Sequence, residues 1–210
     1  MEKTILNRRD FVQKTTLVAG SLVIGACGVD RDKKERNIES RTYSKGLSRE
    51  TIMKQIEQRV TSKMHRSHHC AQSAFMALAQ QFGFENDAIM KALTPMPGIG
   101  ERGETCGAIT GSLMALGMVY GREKPDDWET YRASLIPANK LCDQFEDIYG
   151  STMCGDVVEC EFGKKYNLMD PEDQAKFQAA GASIICTDVV RTAVQITAEL
   201  ILEKENAVDS

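Results

Sequence analysis

Aromatic side chains are scarce in this chain, 6% of its 210 residues, and no stretch alternates apolar and polar residues for long. Both shortages argue against a sheet protein, whose strands want aromatic and β-branched residues at every second position. An excess of positive charge is missing too: the formal net charge is −4, which removes the electrostatic basis for holding nucleic acid. No apolar run approaches the roughly 20 residues that a membrane-spanning helix needs. Internal repeats and low-complexity tracts are absent, and neither a catalytic carboxylate pair nor a Ser/His/Asp arrangement stands out. The nearest approach to a dinucleotide fingerprint, Gly98, Gly100 and Gly103, follows no strand and so lacks the context that gives such glycines their meaning.

What is present reads as helix after helix. Ser48 can cap a helix carrying Ile52, Ile56 and Val60 at i, i+4 and i+8. Ala71, Phe75, Leu78 and Phe82 lie on one face of the next, which Gly83 ends. A short helix from Asn86 to Leu93 leads into a loop kept irregular by Pro95, Pro97, Gly98, Gly100 and Gly103. Asp126 and Asp127 open a further helix marked by Trp128, Tyr131, Leu135 and Phe145, with Pro137 expected to break or kink it. A short helical piece is expected from Asp156 to Glu159. Asp170, Pro171, Glu172 and Asp173 form a strong helix start, with cap, proline and first-turn acids in order. Gly181 divides that helix from a last one running through Cys186, Val189, Val190, Ala193, Ile196, Leu200 and Ile201. The fold class expected is all-α: one bundle of five to seven helices over residues 46–205.

The first 45 residues have a different character. Asn7-Arg8-Arg9-Asp10-Phe11-Val12 resembles a twin-arginine export motif, with Val12 in the place of the usual leucine. The apolar run from Thr15 to Ala26 is too short to cross a bilayer and suits a signal peptide over residues 1–26. Ile24-Gly25-Ala26-Cys27 resembles a lipobox, which makes Cys27 the acylated first residue of the mature chain. Residues 27–45 are rich in charge and serine and read as a polar tether that cannot bury surface. The expected location is extracytoplasmic, on a lipid anchor. Removing residues 1–27 leaves 22 basic against 28 acidic side chains, a more acidic mature protein.

The stretch from Gly103 to Gly117 organises the rest. It is a loop entering a helix of small residues, among them Gly107, Ala108, Gly111, Ser112 and Ala115. Each glycine weakens a helix by roughly 1 kcal/mol relative to alanine, so such a helix implies a neighbouring backbone or a cofactor pressed against it. Cys106 stands where loop becomes helix, where amide groups and the helix dipole favour a thiolate. Three more cysteines hold comparable places: Cys70 and Cys154 at expected helix starts, and Cys186 near the start of the last helix.

Cys70-Ala-Gln-Ser, Cys106-Gly-Ala-Ile-Thr-Gly111, Gly150-Ser-Thr-Met-Cys154 and Cys186 together resemble the redox-active C_GCAxxG_C_C family. The likeness covers roughly Met53 to Glu203, and a similar domain occurs at the C-terminal side of split-Soret cytochromes. Unlike those cytochromes this chain has no Cys-x-x-Cys-His, so covalent c-type haem is not expected. The family's description implies redox chemistry without defining a reaction. Four convergent thiolates suit an iron–sulfur cluster of the [2Fe–2S] or [4Fe–4S] type, with zinc second. Cys70, Cys106, Cys154 and Cys186 are then the metal ligands, and Gly107 and Gly111 let backbone amides approach the cofactor. Two alternatives stay open, since cysteines outside the cytoplasm tend to pair: a thiol–disulfide oxidoreductase using two of the four, or a disulfide-stapled or zinc-bound module without turnover. Cys142 and Cys160 fall outside the foursome, as a structural disulfide or extra thiols. His65, His68 and His69 precede Cys70; the last two are iron or haem ligands, proton shuttles, or simply exposed polar residues. The partners expected are a redox protein, the membrane through the lipid anchor, and a second copy of the chain in a homodimer, but no nucleic acid. The helix after Cys106 is expected to be the most buried, its glycine face turned to the pocket or a neighbouring helix.

Overall fold

The computed structural model describes Ser44 and residues 46–208. The signal-like segment 1–26, Cys27 and the rest of the tether apart from Ser44 lie outside the described residues. Those described fall within one compact unit and are helical: α1 (Arg49–Ser67), α2 (Cys70–Phe82), α3 (Asp87–Ala92), α4 (Gly98–Glu101), α5 (Gly107–Tyr120), α6 (Trp128–Tyr149), α7 (Cys154–Phe162), α8 (Pro171–Ala179) and α9 (Ala182–Val208). Seven of these run nine residues or more; α3 and α4 are single turns or little longer. Among the described residues no helix is long and apolar enough to cross a membrane.

Local chemistry accounts for most of the boundaries. The Ser48 hydroxyl accepts the Thr51 amide at 3.2 Å and starts α1, which buries Ile52, Ile56, Val60 and Met64 along one stripe. Gly83, at φ 76°, ends α2 in the left-handed conformation that glycine adopts without strain. Asp127 accepts the Thr130 amide at the start of α6. Asp170 accepts the amides of Glu172 and Asp173 at 2.8 and 3.2 Å and starts α8.

The core centres on α2. It packs most extensively against α5, then against α1 and α9, and eight of its 13 residues are buried. The helix after Cys106 is therefore not the most deeply placed; α5 exposes Met114 and Gly117 on its outer side, because only its small-residue face meets α2. That face is where its glycines matter. A Cβ added at Gly107 would lie 2.2 Å from the Cys70 sulfur, and one at Gly111 2.1 Å from the Ala71 carbonyl oxygen. The contacts advance along both helices together, so α2 and α5 run side by side in the same direction with their N-termini at one end.

Two other expectations are corrected. α6 continues through Pro137 rather than ending there. The proline removes one hydrogen bond and crowds the preceding turn, at about 3 kcal/mol or more, but the helix is anchored on both sides. Arg122 lies 5.0 Å from the ring centres of both Trp128 and Tyr131 at its start, and Leu141, Phe145 and Tyr149 are buried beyond the proline. Trp128, Tyr131 and Leu135 are themselves exposed, so of the apolar marks on that helix only Phe145 faces the core. The short piece expected from Asp156 to Glu159 is the longer α7, which already begins at Cys154, where the Glu104 and Gly103 carbonyls take up the Cys154 and Gly155 amides.

The contact between α2 and α5 predicts opposite effects for one substitution at two sites. Gly111→Ala should lower unfolding free energy by about 2–3 kcal/mol, because backbone must move. Gly117→Ala, with nothing within 4 Å of the added carbon, should raise it by up to about 1 kcal/mol. Urea unfolding of the two variants checks both signs.

Candidate cysteine centre

Backbone pairing sets the first two thiols side by side. The loop before α5 and the turn before α7 form an isolated antiparallel bridge between Thr105 and Met153. The Cys106 amide donates to the Thr152 carbonyl at 2.8 Å, the Cys154 amide to the Glu104 carbonyl at 2.7 Å, and the Gly155 amide to the Gly103 carbonyl at 2.9 Å. Gly155 and Gly103 face each other across the pairing, and Gly103, at φ 79°, holds a left-handed conformation that glycine adopts without strain. Gly107, by admitting the Cys70 sulfur, brings in the third thiol. Cys186, in the second turn of α9, brings the fourth.

The result is one cavity of about 40 Å³ bordered by Cys70, Cys106, Cys154 and Cys186, and lined also by Val157, Val158, Phe162, Val189 and Val190 among others. Cys70 and Cys154 are the first residues of their helices, and Cys106 is the N-cap of its own. Four helix N-terminal segments thus converge, each with the positive end of its dipole, although the first amides of α7 are already taken by the Glu104 and Gly103 carbonyls. A small satellite core of Val158, Phe177 and Ala182, joined by Phe162, Tyr166 and Leu168, covers the cysteines from the α7–α8 side.

All six described cysteines are free thiols. Burial pushes Cys70 up to about 12, helped by the charges of Cys154 and Cys186 and opposed by the amides of Ala71 and Cys70 itself. Cys154 and Cys186 are also pushed to about 12, first by burial, then by a neighbouring cysteine and by Glu101 or Glu161 respectively. Cys106 is raised further still, by burial and by Cys70, against amides of Ala108 and Ile109 that favour its thiolate. An uncompensated set of thiolates is therefore unfavourable, although amide donors already face two of the sulfurs. Among the described residues no group of three or more His, Cys, Asp or Glu side chains is placed to hold a single metal ion.

Cys142 and Cys160 border neither this cavity nor its surroundings: Cys142 packs against the main core and Cys160 is exposed. The histidines separate. His65 lines an open groove with Thr61 and Arg191, away from the cysteines. His69 caps α2, its Nδ1 accepting the Gln72 amide at 3.2 Å and its Nε2 lying 2.9 Å from the Thr94 carbonyl; both ring nitrogens are used, so it has no free one for a metal. His68 ends α1 and reaches a second, outer pocket, with Nδ1 3.2 Å from the Ser183 hydroxyl. That outer pocket, about 100 Å³, is bordered by Cys70, Cys154 and Cys186 but not by Cys106. Glu101 also lines it, a residue that its sequence context did not single out.

Fold and site define a class: a helical domain that draws four thiols distant in sequence into one buried cavity. The family signature described as "Putative redox-active protein (C_GCAxxG_C_C)" matches residues 68–200, and the chain belongs to that family. No curated protein and no solved structure matches the chain significantly.

In the metal-free protein, exposed Cys160 should be alkylated first by iodoacetamide. At pH 8 a thiol raised to about 12 is ionised in roughly one molecule in ten thousand. Cys70, Cys154 and Cys186 should therefore react slowly, at rates rising about tenfold per pH unit beyond pH 9, where an ordinary thiol has already levelled off. Peptide mapping by mass spectrometry over a pH series reads this directly.

Proposed function

We propose that the protein is a redox protein that holds an iron–sulfur cluster, [2Fe–2S] or [4Fe–4S], on Cys70, Cys106, Cys154 and Cys186 and exchanges electrons with a partner protein. The observation that carries this reading is the convergence of all four cysteines on one small cavity at helix N-termini. Three features of the site support the fit. The thiols are free, the cavity they border is small, about 40 Å³, and the amides facing Cys70 and Cys106 are donors of the kind that stabilise cluster sulfurs.

When bound, such a group supplies a site that gains or loses one electron. The chain's own residues do the rest. The four cysteines give thiolates, releasing protons as they are loaded, since each starts as a thiol. The amides of Ala71, Ala108 and Ile109 and the helix dipoles offset the negative charge that results. Val157, Val158, Val189 and Val190 keep water from the inner side, while the outer pocket leaves Cys70, Cys154 and Cys186 nearest to an approaching partner.

Anaerobic purification followed by iron and acid-labile sulfide analysis and visible absorption tests the reading. Two or four irons per chain with matching sulfide are expected, lost in each of Cys70→Ala, Cys106→Ala, Cys154→Ala and Cys186→Ala and kept in Cys142→Ala and Cys160→Ala. Stoichiometric zinc, or an iron-free protein whose thiols cycle with a redox buffer, would replace the cluster by a structural metal or a dithiol enzyme.

The same proposal places the protein outside the cytoplasm on a lipid anchor, on the strength of the Arg8-Arg9 motif and Cys27. Replacing both arginines by lysine should retain the protein in the cytoplasm. Cys27→Ala should move it from the membrane fraction to the soluble one; unchanged fractionation in both variants would refute the assignment.

A further inference from the structure

Backbone strain gathers around the outer pocket. Among the described residues three that are not glycine have positive φ: His68 (50°), Ile99 (48°) and Glu101 (62°). His68 ends a helix, where the left-handed conformation is ordinary. Ile99 and Glu101 have no such excuse. With Gly98 (51°) and Gly100 (71°) they make a run of four consecutive left-handed residues, a conformation that L side chains resist and that is rarely sustained beyond one residue. A β-branched residue there is an outlier. Strain of this kind persists where the surroundings enforce it, and it clusters at functional sites. Here its effect is to set Glu101 on the pocket wall beside Cys154.

The lining defines the chemistry that fits. Among the described residues, those around the pocket include no lysine or arginine to clamp an anion. Its hydrogen-bonding groups are the Glu101 carboxylate, His68, Ser183 and the amides of Gln174 and Gln178. Met64, Leu168 and Phe177 supply apolar walls. Charge leans the same way. A cluster on four thiolates carries about two negative charges, which four helix ends at roughly half a charge each nearly balance. Two carboxylates are then left over, Glu161 at the inner cavity and Glu101 on the wall of the outer pocket. A pocket of about 100 Å³ has room for a small molecule of a few heavy atoms.

We propose that the outer pocket is a binding site for a small cationic or neutral N–H donor of guanidine, amidine or amine type, held by Glu101 against the wall formed by Cys70, Cys154 and Cys186. This deepens the cluster reading, on which it rests for the charge balance, and makes that wall the face where a small molecule meets the redox centre.

Guanidinium, urea and nitrate are planar, four heavy atoms each, and differ in charge, so they serve as probes. The full chain, purified anaerobically, is titrated with each at millimolar concentration, far below what unfolds proteins, and at constant ionic strength. Calorimetry and the visible spectrum are read together. Guanidinium should bind, urea more weakly, and nitrate not measurably. Glu101→Gln should weaken guanidinium about tenfold and leave urea within about twofold. Glu101→Gly, which suits the positive φ, should melt no lower than the parent and still lose guanidinium. Nitrate binding as well as guanidinium, guanidinium affinity unchanged by Glu101→Gln, or no heat from any probe would overturn the proposal. If the protein proves iron-free, the cluster reading fails by itself, and calorimetry on that form still decides the pocket: guanidinium heat lost in Glu101→Gln upholds it, and no heat refutes it.

Discussion

The structure depends on one close approach, that of α2 and α5 at Gly107 and Gly111. The added carbon that alanine would bring lies about 2 Å from a sulfur in one case and from a backbone oxygen in the other, far inside any tolerable contact. Because the helices touch there and run parallel, their N-termini meet at one end of the bundle. Cys70 and Cys106 are therefore neighbours although 36 positions separate them. The loop pairing through Glu104 and Thr152 then ties α7 to the same end, and α9 closes the group by packing along α1, α2 and α5.

That arrangement carries an electrostatic tension. Burial favours neutral thiols, while the amides and dipoles at the helix ends favour anions. In the metal-free chain burial wins. A positively charged inorganic core placed among the sulfurs would reverse the balance, since it supplies the opposite charge that desolvation removes. The proposed loaded state would relieve that tension.

Much of this was legible because it rests on local chemistry. Ser48 and Asp170 announce their caps, Ile52, Ile56 and Val60 announce a buried stripe, and the glycines of α5 announce a close neighbour before that neighbour is known. The parts that were hidden are decided by tertiary contacts. Histidine is not an expected N-cap, so the role of His69 depends on Thr94 arriving from another loop. Trp128 and Tyr131 look like core residues but are held outside by Arg122. Pro137 looks like a break, yet the burial of Leu141 and Phe145 carries the helix through it. The left-handed turn at Ile99 and Glu101 contradicts the preferences of both residues, and no reading of neighbours in sequence would place Glu101 beside Cys154.

The position of Cys186 on the last helix has a consequence for biogenesis. The first three thiols belong to segments made earlier, but the fourth emerges only with α9, which also packs along α1, α2 and α5. A chain still under synthesis presents an incomplete set in an unclosed cavity. On the cluster reading proposed above, full metal affinity would appear only after the bundle has shut, which would shield the nascent polypeptide from capturing stray ions. Loading would then be a checkpoint on the finished fold rather than a step along the way to it.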